Sequence, residues 1–401
     1  MILFNLSTKV KYPIFETMEK MLLKAVRFCL ILMTVASCKK ESKSTNTVVE
    51  QNDELVQYAV GFDIDKSGDF PVIHVTNPWP NAKQRFTYAF IPKDRLSKIT
   101  FQKEAYDAVI STPIQNLVVT STTHIPALES LGGLNKLIGF PDIRYISSMP
   151  ARQLINSGKI KELGSNQSLN TEMVLEMSPD AVVGFAIDNQ NSTYEVLQKS
   201  GIPILYNGDW TEQTPLGKAE WIKFFGVLLG KEKEADSIFK TIASSYNQVK
   251  ELARTAKKRP TVLSGALYKD VWYLPAGKSW AAQFLADANA DYLWADSEGT
   301  GSLSLSLETA LEKGQDAEFW ISPSQFTTYD DLINANNHYS EFEAFKNKHL
   351  FTFSATKGPT GGLLYYELAP QRPDLVLKDL VHIFHPEVLP NHVLYFFTPL
   401  K

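Results

Sequence analysis

Residues 168–183 read SLNTEMVLEMSPDAVV, and residues 304–319 read SLSLETALEKGQDAEF. The two segments are identical at seven of sixteen positions, without a gap. In each segment a residue suited to capping a helix, Asn170 or Ser306, precedes a helical stretch that leads into an apolar run. The chain therefore repeats one helix–strand unit, and this repeat predicts two similar lobes built from helices and strands.

Short apolar runs alternate with helical stretches in the first half of the chain. The runs begin at Leu117, Leu137, Ala181 and Ile202. Such runs are typical of buried strands in a parallel sheet whose faces are covered by helices. We therefore predict an N-terminal α/β lobe over residues 57–214.

The second half of the chain carries the same kind of pattern. Apolar runs occur at residues 261–264, 319–321 and 350–353, and an amphipathic helix is predicted at about residues 373–384. These features predict a second α/β lobe over residues 258–401.

Residues 215–257 separate the two lobes and have a different character. Apolar residues recur at helical spacing, and no proline interrupts the stretch between Pro215 and Pro260. We predict one long helix, or two nearly continuous helices if Gly226 and Gly230 kink it. The fold class is therefore α/β, with two Rossmann-like lobes joined by a single long helix and a ligand cleft between the lobes.

The first 38 residues have the organisation of a secretion signal. Basic residues precede the apolar segment 28–35, which is too short to span a bilayer, and a Val-Ala-Ser-Cys sequence ends at Cys38. This order resembles a lipobox, which implies cleavage before Cys38 and acylation of its thiol. Residues 39–56 are polar and aperiodic, so we predict a flexible tether. The alternative is a buried cysteine after a short core segment.

Composition and motifs exclude several functions. The net charge is −4 and no long basic run occurs, which argues against nucleic-acid binding. Both cysteines, Cys29 and Cys38, lie near the N-terminus, so the rest of the chain has no thiol catalysis or cysteine-bound metal. The sequence lacks Gly-x-Ser-x-Gly, a Walker phosphate loop and His-Glu-x-x-His. We predict a binding protein without catalysis or cofactor; a hydrolytic enzyme is the alternative from another class.

Several short motifs occur in an order that suggests a family. They are NLVVTS at 116–121, SPDAVV at 178–183, GIP at 201–203, LLGKE at 228–232 and LKDL at 377–380. Taken together, the chain resembles the periplasmic binding proteins of ABC importers for ferric siderophores, haem and cobalamin.

The resemblance implies a function and its partners. The protein would be a monomer, lipid-anchored to a membrane in the periplasm or at the cell surface. It would capture a metal chelate, most readily a ferric siderophore, and deliver it to a permease dimer with ATPase subunits. A haem- or cobalamin-binding protein is the alternative within the family, and an orphan surface receptor is an alternative outside it.

Two glutamates have equivalent places in the repeated segments. In the family, one glutamate of each lobe docks into arginine pockets of the permease, and by motif position these are Glu172 and Glu308. Paired guanidinium groups bind carboxylates bidentately, which agrees with this role. The alternative is electrostatic, because a carboxylate in the first turn stabilises a helix by roughly 0.3–1 kcal/mol.

The loops that follow strands are expected to line the cleft, because ligands bind at the carboxyl ends of parallel strands. Aromatic side chains offer contact area for a large flat chelate, and Lys or Arg can pair with its anionic groups. The candidate ligand contacts are Thr123, His124, Arg144, Tyr145, Phe185, Trp210, Tyr268, Trp272, Trp280, Lys357, Tyr366 and Arg372.

Some of these candidates have a structural alternative. The structural alternatives are that Trp272 only packs a hairpin and that Arg372 caps or pairs within the last helix. His124 is suited either to ligating iron or cobalt or to forming a hydrogen bond at a helix start. We predict no resident metal site. His382 and His385 lie three apart near a helix C-terminus, where the dipole favours histidine, so a zinc or manganese importer is a weaker alternative.

Overall fold

The structure, a computed structural model, describes residues 55–166, 168–188 and 190–401. The predicted signal at residues 1–38, with Cys38, and the greater part of the tether lie outside the described residues. No helix in the described part of the chain combines the length and apolar character needed to cross a membrane.

A four-stranded sheet stands at the start of the described chain. Its first three strands form an antiparallel meander, and the fourth pairs in parallel with the third. This separate sheet lies within residues 57–214, which were predicted as a single α/β lobe. Its strands are β1 (Phe62–Asp65), β2 (Val72–Val75), β3 (Phe86–Pro92) and β4 (Ala108–Thr112).

The N-terminal lobe is built on a five-stranded parallel sheet in the order β11-β10-β5-β6-β7, as its apolar runs predicted. The residues of β5, β10 and β11 are all buried, as is typical of a parallel sheet with helices on its faces. The elements are β5 (Leu117–Val119), α1 (His124–Ser130), β6 (Leu137–Phe140), α2 (Met149–Asn156), β7 (Lys161–Glu162), β8 (Gly164–Ser165), β9 (Ser168–Leu169), α3 (Thr171–Met177), β10 (Ala181–Gly184), α4 (Ser192–Lys199) and β11 (Ile204–Tyr206).

The linking segment was predicted as one long helix or two nearly continuous helices, and the structure shows three. They are α5 (Pro215–Glu220), α6 (Ile222–Leu229) and α7 (Glu232–Ala253). Gly230 ends α6 in the left-handed conformation with φ of 66°, and the Lys231 N–H bonds back to the Gly226 carbonyl. This is a helix C-terminal motif that favours glycine. The 22-residue helix α7 is therefore the only long one of the three.

The C-terminal lobe contains a five-stranded sheet in the order β15-β12-β17-β18-β19, with only β19 antiparallel, and a three-stranded antiparallel sheet β13-β14-β16. The elements are β12 (Thr261–Ser264), β13 (Ala266–Tyr268), β14 (Val271–Pro275), α8 (Trp280–Asp287), β15 (Asp291–Tyr292), β16 (Ser302–Leu305), α9 (Leu307–Gly314), β17 (Phe319–Ile321), α10 (Tyr329–Ala335), α11 (Glu343–Lys346), β18 (Leu350–Thr352), α12 (Leu364–Leu368), α13 (Pro373–Phe384) and β19 (Thr398–Pro399). Short 3-10 turns occur at Lys103–Ala105, Leu134–Lys136, Ile143–Tyr145, Asp209–Thr211 and Asn337–Glu341.

The repeated sequence segments form equivalent structures. Asn170 accepts a hydrogen bond from the Met173 N–H at the start of α3, and Ser306 accepts one from the Thr309 N–H at the start of α9. Each helix leads into a strand of its lobe's main sheet, β10 or β17. The predicted two-lobed α/β fold is confirmed, and residues 54–401 form one compact unit with a continuous core.

Two buried carboxylates attach the beginning of this unit to the linking helices. Glu220, which is fully buried, accepts hydrogen bonds from the backbone N–H groups of residues 57, 58 and 59. Glu212 accepts from the N–H groups of residues 60 and 61 and from the indole of Trp221. The chain that enters the four-stranded sheet is thereby fixed to α5 and α6.

Candidate functional site

Three adjoining cavities lie where the lobes face each other, and we call them together the cleft. The first, the interlobe cavity, has a volume of about 560 Å³ and is lined by loops of both lobes. On the N-lobe side it contacts Thr120, Ser121, Phe140, Asp142, Asn166 and Phe185, and on the C-lobe side Gln325, Ser354, Lys357, Leu363 and Tyr366.

The other two cavities continue from the first. The C-lobe cavity, about 530 Å³, shares Tyr366 and Leu363 with the interlobe cavity. The tryptophan cavity, about 560 Å³, shares Trp280 with the C-lobe cavity and is named for Trp79, Trp210 and Trp280. One cleft therefore combines surfaces from the N-terminal sheet, the N-lobe and the C-lobe.

The N-lobe wall is formed by residues that directly follow parallel strands. Thr120 follows β5, Phe185 follows β10 and Asp142 follows β6. The Thr120 hydroxyl accepts the Phe185 N–H at 2.9 Å and bonds the Tyr194 hydroxyl at 3.0 Å, so two adjacent loops are held together. The geometry agrees with the expectation that strand carboxyl ends carry the ligand site.

The C-lobe wall is a group of packed aromatic rings. The rings of Phe353 and Tyr365 stack with centroids 4.1 Å apart and planes 8° apart. Trp280 lies 5.9 Å from Tyr365, and Tyr366 meets both Phe353 and Tyr365 edge-on. Burial raises the pKa of Tyr365, so its phenol stays protonated at neutral pH. This wall offers a largely apolar, aromatic surface to the cleft.

Few charges face the cleft. In the interlobe cavity, the charged lining residues among those described are Asp142 and Lys357. Arg144 lies beside this cavity, with its guanidinium 3.4 Å from the Asp142 carboxylate and 4.8 Å from the Tyr145 ring centroid. Glu212 lines the tryptophan cavity, but its carboxylate accepts hydrogen bonds from backbone N–H groups, and burial raises its pKa.

The structure brings seven of the predicted contact residues to the cleft. Tyr145, Phe185, Lys357 and Tyr366 line the interlobe cavity, Trp210 and Trp280 line the tryptophan cavity, and Tyr268 lines the C-lobe cavity. Their direct contact with a ligand stays a prediction.

Two predicted contacts are corrected because they lie in the core. Trp272 is 0% exposed, stacks on Trp320 at 5.4 Å and donates its indole N–H to the Ser264 carbonyl. His124 is 1% exposed and packs against Phe225, and burial lowers its pKa to about 4. Neither side chain reaches the cleft, so an axial-ligand role for His124 is not compatible with this structure.

Three other candidates also lie outside the lining of the three cavities. Arg372 forms a two-point ion pair with Asp374 in the first turn of α13, which was the structural alternative for this residue. The Thr123 hydroxyl bonds the Ser121 hydroxyl at 2.8 Å. Arg144 is exposed beside the interlobe cavity and forms an ion pair with Asp142.

Sequence reasoning missed part of the lining. Trp79 and its neighbours Asn77 and Asn81 form one wall of the tryptophan cavity, although the Pro- and Asn-rich sequence at 77–81 by itself indicates only a turn. Gln325 and Phe353 were also missed. A tryptophan is unusual in a solvated turn rich in Pro and Asn, and this residue could have indicated that the turn packs against another surface.

The candidate docking residues lie at the starts of α3 and α9. Glu172 and Glu308 are both exposed and belong to different lobes. Hydrogen bonds from its own backbone N–H and from Ser306 lower the pKa of Glu308, so it is ionised at neutral pH. Their docking role stays a prediction.

Each histidine near the C-terminus has its own structural partner. His382 contacts the Leu389 carbonyl at 2.8 Å, His385 the Ala288 carbonyl at 3.1 Å, and His392 the Asp379 carboxylate at 2.6 Å. Among the described residues, no group of three His, Cys, Asp or Glu side chains is arranged to hold a metal ion.

Comparisons with known proteins give relatives for this architecture. The family model described as periplasmic binding protein matches residues 117–356. An uncharacterised lipoprotein of Methanocaldococcus jannaschii is 25% identical over 414 residues, covering 95% of this chain and 96% of that protein.

Solved structures show the same fold at low sequence identity. A possible iron-binding (periplasmic solute-binding) protein from Staphylococcus epidermidis has a TM-score of 0.54 at 18% identity, covering 68% of this chain and 100% of that one. The periplasmic haem-binding protein HutB of Vibrio cholerae has a TM-score of 0.52 at 18% identity, covering 66% and 99%.

Proposed function

The chain belongs to the periplasmic binding protein family, and on that premise we propose that it captures a metal chelate in the cleft for an ABC importer. The favoured cargo is a ferric siderophore, with haem and cobalamin as alternatives. Acylation at Cys38 anchors the protein to a membrane, in the periplasm or at the cell surface. The partners are a permease dimer and its ATPase subunits, and the protein performs no catalytic step.

The observation that carries this proposal is the two-sided interlobe cavity. One wall consists of strand-end loops of the N-lobe, and the other is the aromatic wall around Tyr365 and Tyr366. The cavity and its two neighbours have room for a ligand larger than a single amino acid or ion. A large ligand with flat apolar faces is the class that such a surface favours.

The linking helices set the range of motion. Helix α7 packs against α6 on one side and α13 on the other, so the lobes are joined by packed helices instead of extended strands. We therefore propose modest closure around the ligand. Delivery then uses the exposed carboxylates of Glu172 and Glu308, one from each lobe, which fit guanidinium groups of a permease.

The test is a fluorescence titration of residues 54–401 with ferric siderophores, haem and cobalamin. Trp210 and Trp280 line the cleft and report occupancy. Submicromolar quenching by one chelate class, with the ligand recovered chemically unchanged, is the expected result. Absence of binding by every chelate, or conversion of the ligand to a product, would refute the proposal.

A further inference from the structure

The tryptophan cavity has a wall that precedes the part of the chain matched by the family model. Asn77, Trp79 and Asn81 supply this wall, and the matched region begins at residue 117. Across the cavity lie Trp280 and Thr300 of the C-lobe. The N-terminal sheet therefore adds a surface to the cleft of this chain.

This wall is held rigidly in place. The Thr211 hydroxyl donates to the Asn77 carbonyl at 2.8 Å, and a Cβ on Gly208 would lie only 2.5 Å from the same oxygen. Glu212 and Glu220 hold the incoming chain, as described above. Trp79 is itself buried and packs edge-on against Tyr206 of β11 at 5.1 Å. The wall therefore moves with the N-lobe and is positioned before a ligand arrives.

Apart from the Glu212 carboxylate, which accepts hydrogen bonds from backbone N–H groups and from Trp221, the polar side chains that line this cavity are uncharged. Side-chain amides and hydroxyls come from Asn77, Asn81, Gln213 and Thr300, and all four residues are exposed. The indole N–H of Trp210 is buried without a hydrogen-bond partner. The amide side chains and the hydroxyl groups both donate and accept hydrogen bonds, whereas the indole N–H only donates, and together they match amide or hydroxyl groups on an apolar skeleton.

The whole cleft carries almost no net charge. Among the described lining residues of the three cavities, the ionisable acids and bases other than tyrosine are Asp142, Glu212 and Lys357. Arg144 balances Asp142 at 3.4 Å. Lys218 lies behind Trp280, donates to the carbonyls of residues 209 and 210, and has its pKa lowered to about 8 by burial.

The small net charge of the cleft and its uncharged polar groups limit which cargo fits it, provided that the proposed function is correct. We infer that the ligand is an uncharged metal chelate whose periphery bears amide or hydroxyl groups, and that one such peripheral arm occupies the tryptophan cavity. A chelate with several negative charges loses its hydration on entry, and one exposed ammonium group cannot compensate that loss.

The test compares four probes by equilibrium titration of residues 54–401. They are an uncharged ferric trihydroxamate, cyanocobalamin, a triply anionic ferric triscatecholate and haemin with its two carboxylates. We expect one uncharged probe to bind about 100-fold more tightly than either anionic probe, with an affinity that changes little between about 0.05 and 0.5 M salt. Tighter binding of an anionic probe overturns this inference and leaves the proposed function standing. Binding of none overturns both.

A substitution tests the place of the arm. Gln213→Glu puts a negative charge in the tryptophan cavity without changing side-chain size, and it should weaken binding of the uncharged probe about tenfold. The matched control is Gln198→Glu on the exposed face of α4, outside the cleft. Equal affinities for the two variants would overturn the assignment of the arm to this cavity.

Discussion

Tyr366 offers a direct test of the aromatic wall because it is exposed in the cleft. It lines both the interlobe cavity and the C-lobe cavity and is 56% exposed. Since a tyrosine side chain presents about 200 Å², roughly 110 Å² is open to a ligand. At about 25 cal/mol per Å², and allowing for the Cβ that remains, Tyr366→Ala should cost about 2 kcal/mol of binding, or roughly 30-fold in Kd.

The assay is the fluorescence titration with the chelate that the wild-type protein binds. Tyr395→Ala is the matched control, because Tyr395 is also partly exposed but does not line the three cavities. The change at Tyr366 should leave the urea midpoint almost unaltered, since most of the ring is already in solvent. An unchanged Kd for Tyr366→Ala, or an equal loss in Tyr395→Ala, would show that the aromatic wall is not the binding surface.

Three other perturbations have defined outcomes. Replacing Glu172 and Glu308 together by Arg should abolish uptake of the chelate in cells. The Kd of the isolated protein for the chelate should stay within about twofold of the wild-type value, because both carboxylates lie outside the cleft. Normal uptake by the double variant would contradict the docking role. Glu220→Ala leaves three backbone N–H groups without their partner and removes the nearest carboxylate from the Lys223 ammonium, which keeps the Leu55 carbonyl and Asp236. Urea unfolding should therefore show a loss of about 3–5 kcal/mol, and a loss below 1 kcal/mol would contradict the anchoring role. Burial lowers the pKa of His124 from 6.5 to about 4, so as the pH falls below 6.5 the unfolded state takes up the imidazole proton before the folded state does, and the free energy of unfolding decreases. His124→Leu should make the decrease in unfolding free energy between pH 7.5 and 5 smaller by about 2 kcal/mol. The same pH dependence in the variant and the wild-type protein would refute this.

Sequence patterns predicted best those structural features that depend on residues close together in the chain. Asn170 and Ser306 each cap a helix, and the apolar runs from Leu117 and Ala181 form adjacent parallel strands. Capping and strand burial are local properties that a short segment reveals. The repeat then indicated that the same unit occurs in both lobes.

Predictions failed where the outcome depends on distant packing. His124 and Trp272 have residue types suited to a ligand site, but helix α6 covers one and Trp320 covers the other. Likewise, the chain that leads to the Trp79 wall is held by hydrogen bonds that the backbone N–H groups of residues 59 and 61 donate to Glu220 and Glu212, which lie more than 150 positions later in the sequence. No local pattern in the sequence reports such contacts.

The end of helix α6 at Gly230 was predicted only in part. Both glycines of the linking segment were recognised as places where a helix could kink, but the sequence did not reveal that Gly230 adopts a left-handed conformation and ends α6. Because Gly226 allows Ala235 to approach closely, α6 and α7 pack side by side instead of continuing as one rod.

The central claim is that a metal chelate is held between the two lobes. Crystals of residues 54–401 grown with a bound ferric chelate allow the iron to be located by its anomalous scattering, independently of the protein coordinates. We expect one iron peak in the interlobe cavity, between the strand-end loop at Phe185 and the aromatic wall at Tyr366. An iron peak outside the cleft, with the interlobe cavity holding only solvent, would contradict it.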